Sequence, residues 1–201
     1  MSVGVEPAEG VDGRRLRRQR NRDAVVEALL ALFAEGNLSP ALAEVAERAG
    51  LSARSLFRYF DDVDDLHGEA IARQLQRARP LIDPGVTADT PTPEKIERFV
   101  AARTRLLEAV APAARAARAS AHRHEVVRQQ VERARTLLRR QVATLFAPEL
   151  DRVAGAGRPG ALATVDVLCS FESWELLCHD QGLSRPKARA ALVAALHALL
   201  A

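Results

Sequence analysis

Apolar residues recur along this chain at helical spacing. Val25, Ala28, Leu29, Leu32 and Phe33 make an i, i+3, i+4 stripe, and Gly36 ends it. Leu42, Val45, Ala46 and Ala49 make a second face at i, i+3, i+4 and i+7. Ser39 and Pro40 stand before that face as an N-cap and N1 pair. Gly50 supplies the permissive backbone of a sharp helix end, and Ser52 is a good N-cap for the next helix. That third helix is predicted from about Ser52 to Phe60, with Leu56 and Phe60 inward. Asp61 and Asp62 punctuate it and cap a fourth helix striped by Leu66, Ala70 and Leu75, which Pro80 terminates.

Beyond Pro80 the pattern lapses. Residues 80–93, PLIDPGVTADTPTP, hold four prolines and a glycine and read as a linker. Thr92 and Pro93 open a long helix with Ile96, Phe99, Val100, Leu106 and Leu107 inward, and Pro112 is expected to kink or break it near Ala111. A helix from about His122 to Phe146 follows, then a loop through Pro148 and AGAGRPG. The last two helices are predicted from about Ala161 to Asp180 and from Arg185 to Ala201, parted by Gly182 and Ser184. No sustained period-2 run of Val, Ile and Thr occurs. The expectation is an all-α protein of about nine helices. Residues 1–13 would be a disordered tail, 14–79 a helix-turn-helix head with its connecting helix, 80–93 a linker and 94–201 a larger helical domain.

Charge changes this picture through its placement. The chain carries a net +3, a weak argument for a nucleic-acid partner. Residues 13–60 alone hold nine arginines against five acids, a net of +4. Six of the nine, Arg14, Arg15, Arg17, Arg18, Arg20 and Arg22, fall in nine consecutive residues without an acid. An arginine arm of this kind can enter a minor groove beside a helix-turn-helix.

The outward residues of the third helix have the matching chemistry. Arg54 can form a bidentate pair with guanine O6 and N7, and Ser55 can bond a base edge or a phosphate. Ser52 stands at that helix's start, and Ala53 lets the backbone approach closely. Arg58 and Tyr59 suit phosphate contacts, which fix register more than sequence. Phe57 either meets sugars and thymine methyls or packs inward. Asp61, Asp62, Asp64 and Asp65 follow directly and suit the positive end of the fourth helix.

Other constellations are poor. Cys169 and Cys178 lie about 13 Å apart along one predicted helix, too far to bridge, and read as buried thiols of a reducing compartment. His122 and His124 diverge on a helix, as do Cys178 and His179, so no metal site and no cofactor are expected. No Ser/His/Asp elbow, Walker loop or GxGxxG is present, so an enzyme is not expected. No apolar run approaches the ~20 residues of a membrane span and no signal-peptide core precedes the arginines; a soluble, cytoplasmic protein is expected. Arg103, Arg105, Arg115 and Arg118 read as solvated, with one of them able to face an anionic ligand. Glu172 and Glu175 beside Trp174 read as rim charges.

The stretch from about Arg22 to Leu66 resembles the tetracycline-repressor (TetR) family of bacterial transcriptional regulators. A helix ending LFAEG leads into VAERAGLSARSLFRYF and then DDVDDL. Val45, Ala46, Ala49, Gly50, Leu51, Ser52, Ser55, Leu56, Phe57, Tyr59 and Phe60 fit the family pattern. Phe57 stands where the family usually has Tyr, Val63 where Lys is common, and Ala41 where Thr usually caps the second helix. Phosphate affinity is therefore expected to lean on the N-terminal arginines and Arg58.

The resemblance implies a DNA-binding head, a linking fourth helix, and a helical domain that binds a small molecule and dimerises. SFESWELLCHDQGLS and the Ala/Leu helix after it look like the family's dimerisation helices. Phe171, Trp174, Leu192, Leu196 and Leu199 are the expected dimer seam, because a helix apolar on two sides must bury both. The implied function is a homodimeric repressor released from a palindromic operator on double-stranded DNA by an unidentified ligand. The alternative is a helical ligand-binding or adaptor protein whose head no longer binds DNA.

Overall fold

The computed structural model describes residues 9–153 and 157–200, without the side chains of 9–12. It holds ten α-helices and, among the described residues, no strand. Three helices and a connecting one make the head: α1 (Glu9–Ala34), α2 (Leu42–Arg48), α3 (Ala53–Leu56) and α4 (Val63–Ala78). A 3₁₀ turn, Arg79–Leu81, and a loop lead to α5 (Thr92–Ser120). Then come α6 (Glu125–Leu145), α7 (Ala147–Leu150), α8 (Gly157–Leu168), α9 (Phe171–Glu175) with a π turn over Leu176–Asp180, and α10 (Arg185–Leu200).

Two cores result. Val25, Val26, Leu29 and Phe33 of α1 pack with Val45, Ala46, Leu56, Phe60, Leu66 and Ala70 in the head. Ala116 of α5 joins that cluster, so one helix reaches from the body into the head. Ile96, Phe99, Val142, Phe146, Leu150, Val165, Trp174, Leu192 and Leu196 centre the body.

Several sequence expectations change. The expected tail from Met1 lies outside the described residues up to residue 8, but Glu9–Gly13 are helical and begin α1. The arginine arm is therefore a helix. Ser39 and Pro40 do not open α2; Ala41 is its N-cap. Ala41 has no side-chain acceptor, and the Glu44 carboxylate instead accepts from its backbone N–H at 2.6 Å. Pro112 does not break α5, which runs on for 29 residues. Proline removes a single donor there, and the next carbonyl, that of Ala109, accepts from Gln74 Nε2 of α4 at 2.8 Å.

The helix expected over 161–180 is interrupted instead. Ser170 caps a new helix, its Oγ accepting from the Ser173 N–H at 3.1 Å. This break turns Phe171 and Trp174, 6% and 3% exposed, into the protomer's own core beside Leu192 and Leu196. Leu199 packs against the same cluster. Of the residues expected at a dimer seam, Phe171, Trp174, Leu192 and Leu196 are buried within the protomer, and Leu199 is half-buried. Cys169 and Cys178 sit on opposite sides of the break as free thiols, and burial raises the Cys169 pKa to about 11.

Polar groups fasten the linker and body. Lys95 Nζ, fully buried, donates to both Glu149 oxygens at 2.9 and 3.1 Å and to the Ala88 carbonyl, while Thr92 Oγ1 donates to Glu149. Burial opposes the Glu149 charge, yet these donors hold its pKa below the usual carboxylate range. Arg103 is not solvated as expected from sequence. It is 3% exposed, donates to the carbonyls of Cys169 and Leu138 and to Gln141 Oε1, and lies 4.9 Å over the Phe99 ring. Burial lowers its pKa from the ordinary arginine value.

Candidate nucleic-acid interface

The turn before α3 is set by a Schellman motif. Gly50 adopts φ +70°, and the Leu51 N–H bonds the Ala46 carbonyl at 2.9 Å while Gly50 N–H bonds Glu47 at 3.0 Å. Ser52 then caps α3, its Oγ accepting from the Ser55 N–H at 3.3 Å and lying 2.8 Å from Ser55 Oγ. Leu56 and Phe60, each 1% exposed, pin the segment to the core. The α-helix proper ends at Leu56, shorter than expected, and the chain tightens through Arg58 N–H to Ser55 and Tyr59 N–H to Leu56 bonds of the i to i−3 kind.

What remains outward on the head is strongly basic. Ser52, Ala53, Arg54, Phe57 and Arg58 are exposed, and Ser55 and Tyr59 are half-buried. Phe57, at 57% exposure, does not pack inward. Arg14, Arg15, Arg17, Arg18 and Arg20 are all exposed along α1. At ~1.5 Å per residue, Arg14 to Arg20 cover about 9 Å of α1. Among the described residues none of these five, nor Arg54 or Arg58, has an acidic partner.

Arg22, expected at the DNA surface with the other arginines, is instead engaged within the head. Its guanidinium pairs with Glu69 at 2.5 Å and Asp65 at 3.1 Å, donates to the Tyr59 carbonyl, and lies 4.4 Å over the Phe60 ring. Burial pulls against its charge, but the hydrogen bonds to Asp65 and Glu69 outweigh it and raise the pKa. Its donors are spent on holding α1, α3 and α4 together. Beside it, Asn21 Nδ2 donates to the Tyr59 hydroxyl at 2.6 Å. That bond leaves the phenolic proton of Tyr59 available for a phosphate. Asn21 was not foreseen from sequence; nothing in its spacing marks a partner 38 residues away.

The aspartates are mostly consumed locally. Asp62 Oδ1 accepts from the Asp65 N–H at 2.7 Å as the α4 cap, Asp65 serves Arg22, and Asp64 bonds His124 Nδ1 at 2.5 Å. Behind the interface, Arg73 pairs with Asp23 and Glu27, and Arg77 with Glu27, which ties α4 to α1. Among the described residues no group of three or more His, Cys, Asp or Glu is placed to hold a metal, and no helix is long and apolar enough to cross a membrane.

A helix-turn-helix whose second helix presents arginines, a hydroxyl and a small residue outward is a DNA-binding head. Residues 25–80 match the family model of bacterial regulatory proteins, tetR family. Solved structures share the fold of the whole chain. One described as a TetR-family transcriptional regulator from Rhodococcus sp. is 23% identical, with 91% of this chain and 100% of that one aligned at a TM-score of 0.62. Another so described, from Mesorhizobium loti MAFF303099, is 17% identical over 92% and 96% at 0.65. A transcriptional regulator from Pseudomonas aeruginosa PAO1 is 19% identical over 89% of each chain at 0.63. No functionally curated protein matches the chain. Residues 25–80 thus carry the match to bacterial regulatory proteins of the tetR family, and about nine-tenths of the chain has the fold of these solved regulators. The protein is a DNA-binding transcriptional regulator.

Proposed function

We propose that this regulator is a homodimeric repressor whose two heads read half-sites of a palindrome in successive major grooves, and that a small molecule bound in the body releases it. The observation that carries the reading is the surface of Arg54, Arg58 and the Arg14–Arg20 run, whose charge meets no acid among the described residues. Arg54 and Ser55 read bases; Arg58, Tyr59 and the α1 arginines hold phosphates. The small molecule acts only by binding more tightly to a conformation with the wrong head spacing.

Dimerisation is assigned to outward faces rather than to the buried leucines. On α8, Val167 is 63% exposed among Ala163 and Thr164, and α10 exposes Ala191 and Ala198. Small residues of this kind let two helices approach closely. The relay is α4, which packs on α1 through Arg73 and Arg77 and on α5 through Gln74. Fluorescence-anisotropy titration of DNA flanking the protein's own gene, at several salt concentrations, tests the reading. Salt-sensitive binding stronger than to scrambled DNA is expected; no preference over scrambled DNA would favour the adaptor alternative.

A further inference from the structure

An open cavity of about 820 Å³ lies between α5 and α10. That is the size range of small-molecule sites, roughly 300–1,000 Å³. Trp174, 3% exposed and the chain's one tryptophan, lines it. Ala190 and Ala194 of α10 are too small to fill the space.

The rim carries charge that is incompletely paired. Arg185 Nε stands 3.7 Å from Glu108 and Arg189 is 4.0 Å from Glu97, both longer than hydrogen bonds and both linking α10 to α5. Arg105 is exposed on the same rim and has no acidic partner among the described residues. Three arginines against two glutamates leave a positive rim over largely apolar walls that include Trp174.

The cavity is also joined to the head. One residue past Glu108, the Ala109 carbonyl accepts from Gln74 of α4. Pro112 offers no N–H to the Glu108 carbonyl, so α5 lacks one of its bonds at that turn. One turn further, Ala116 is part of the head core. A ligand that displaces α5 at Arg105 and Glu108 therefore acts on α4.

We propose that this cavity is the effector site and that it takes a small monocarboxylate with an apolar body, its carboxylate on Arg105 and its body over Trp174. The proposal rests on the reading of the protein as an effector-released DNA binder. Octanoate and its neutral counterpart octanol are the probes, with emission from the single tryptophan as the readout on the full chain. Octanoate is expected to give a saturable change with at least roughly tenfold higher affinity than octanol. Arg105→Ala should cost octanoate about tenfold and leave octanol unchanged. Ala190→Phe, on the cavity wall and turned away from Ala191 and Ala198, should abolish both while leaving the melting curve and sedimentation coefficient unchanged. No saturable change, equal affinity for the two probes, an unaffected Arg105→Ala, or dissociation of a dimer by Ala190→Phe, which marks the cavity as covered by a second copy, would each overturn the proposal. DNA titrations without octanoate separate the two readings: intact DNA binding with no tryptophan response removes this site alone, and absent DNA binding removes the repressor.

Discussion

Arg18 and Arg22 lie one helical turn apart on α1, and their surroundings are opposite. Arg22 is held by Asp65, Glu69, the Tyr59 carbonyl and the Phe60 ring; Arg18 stands exposed with no acid near it among the described residues. The contrast extends over the molecule. At the junction of head and body, Arg73 and Arg77 are paired, and in the body Arg115 pairs with Glu175 and Arg118 with Glu172. At the surface of the head, the arginines of Arg14–Arg20 together with Arg54 and Arg58 are left over. Charge neutralised within the chain builds the fold, and charge left unneutralised at the head is what a polyanion can meet.

Breaking an internal pair should cost stability, with the deepest pair costing most. Lys95→Met leaves the Glu149 carboxylate buried without its cation and should destabilise the chain by about 3–5 kcal/mol, read by urea denaturation. Arg22→Ala removes a half-exposed hub, so solvent screening reduces the effect to roughly 1–3 kcal/mol. It should lower the melting temperature first and DNA affinity only through the loosened α3. Arg17→Ala with Arg18→Ala should do the reverse: unchanged melting, weaker binding to every DNA sequence, and a log–log salt slope shallower by about 1 for each phosphate no longer neutralised. A melting loss in that double variant as large as in Arg22→Ala would erase the distinction.

A smaller effect sits at the junction. His67 packs against Phe33 and, at 5.1 Å between ring centres, against His124. Burial lowers its pKa below the ordinary value, aided by His124 and Arg123 and opposed by Asp64. The unfolded chain then takes up this proton more readily than the folded one. The contribution of His67 to stability is complete above the ordinary histidine pKa of about 6.5 and is lost as pH falls from there through the lower folded value. His67→Gln should flatten the fall in melting temperature across that window; an unchanged pH profile would remove His67 from the junction's proton balance.

The head was legible because its signals are local. Stripes at Val25 to Phe33 and Leu42 to Ala49, a glycine at the αL position and a serine cap each act within a few residues. The pairing of Arg22 is hidden from sequence, because a run of arginines gives no sign of which member meets an acidic notch more than forty residues on. Asp65 and Glu69, four apart on one helix face, were the available signal. From sequence Phe171 and Trp174 read as partner-facing, because an uninterrupted helix would be apolar on two sides. Ser170 restarts the helix and brings both residues round to one core. The buried Lys95–Glu149 pair joins residues 54 apart and leaves no periodic trace.

The most direct test is Arg54→Ala measured by anisotropy on both the gene-flanking operator and a scrambled duplex at one salt concentration. If Arg54 reads a base, operator affinity falls by about 1–3 kcal/mol while scrambled binding barely changes, so the preference between them shrinks. Equal losses on the two duplexes would make Arg54 a phosphate contact and contradict the assignment of the α3 face as the sequence reader.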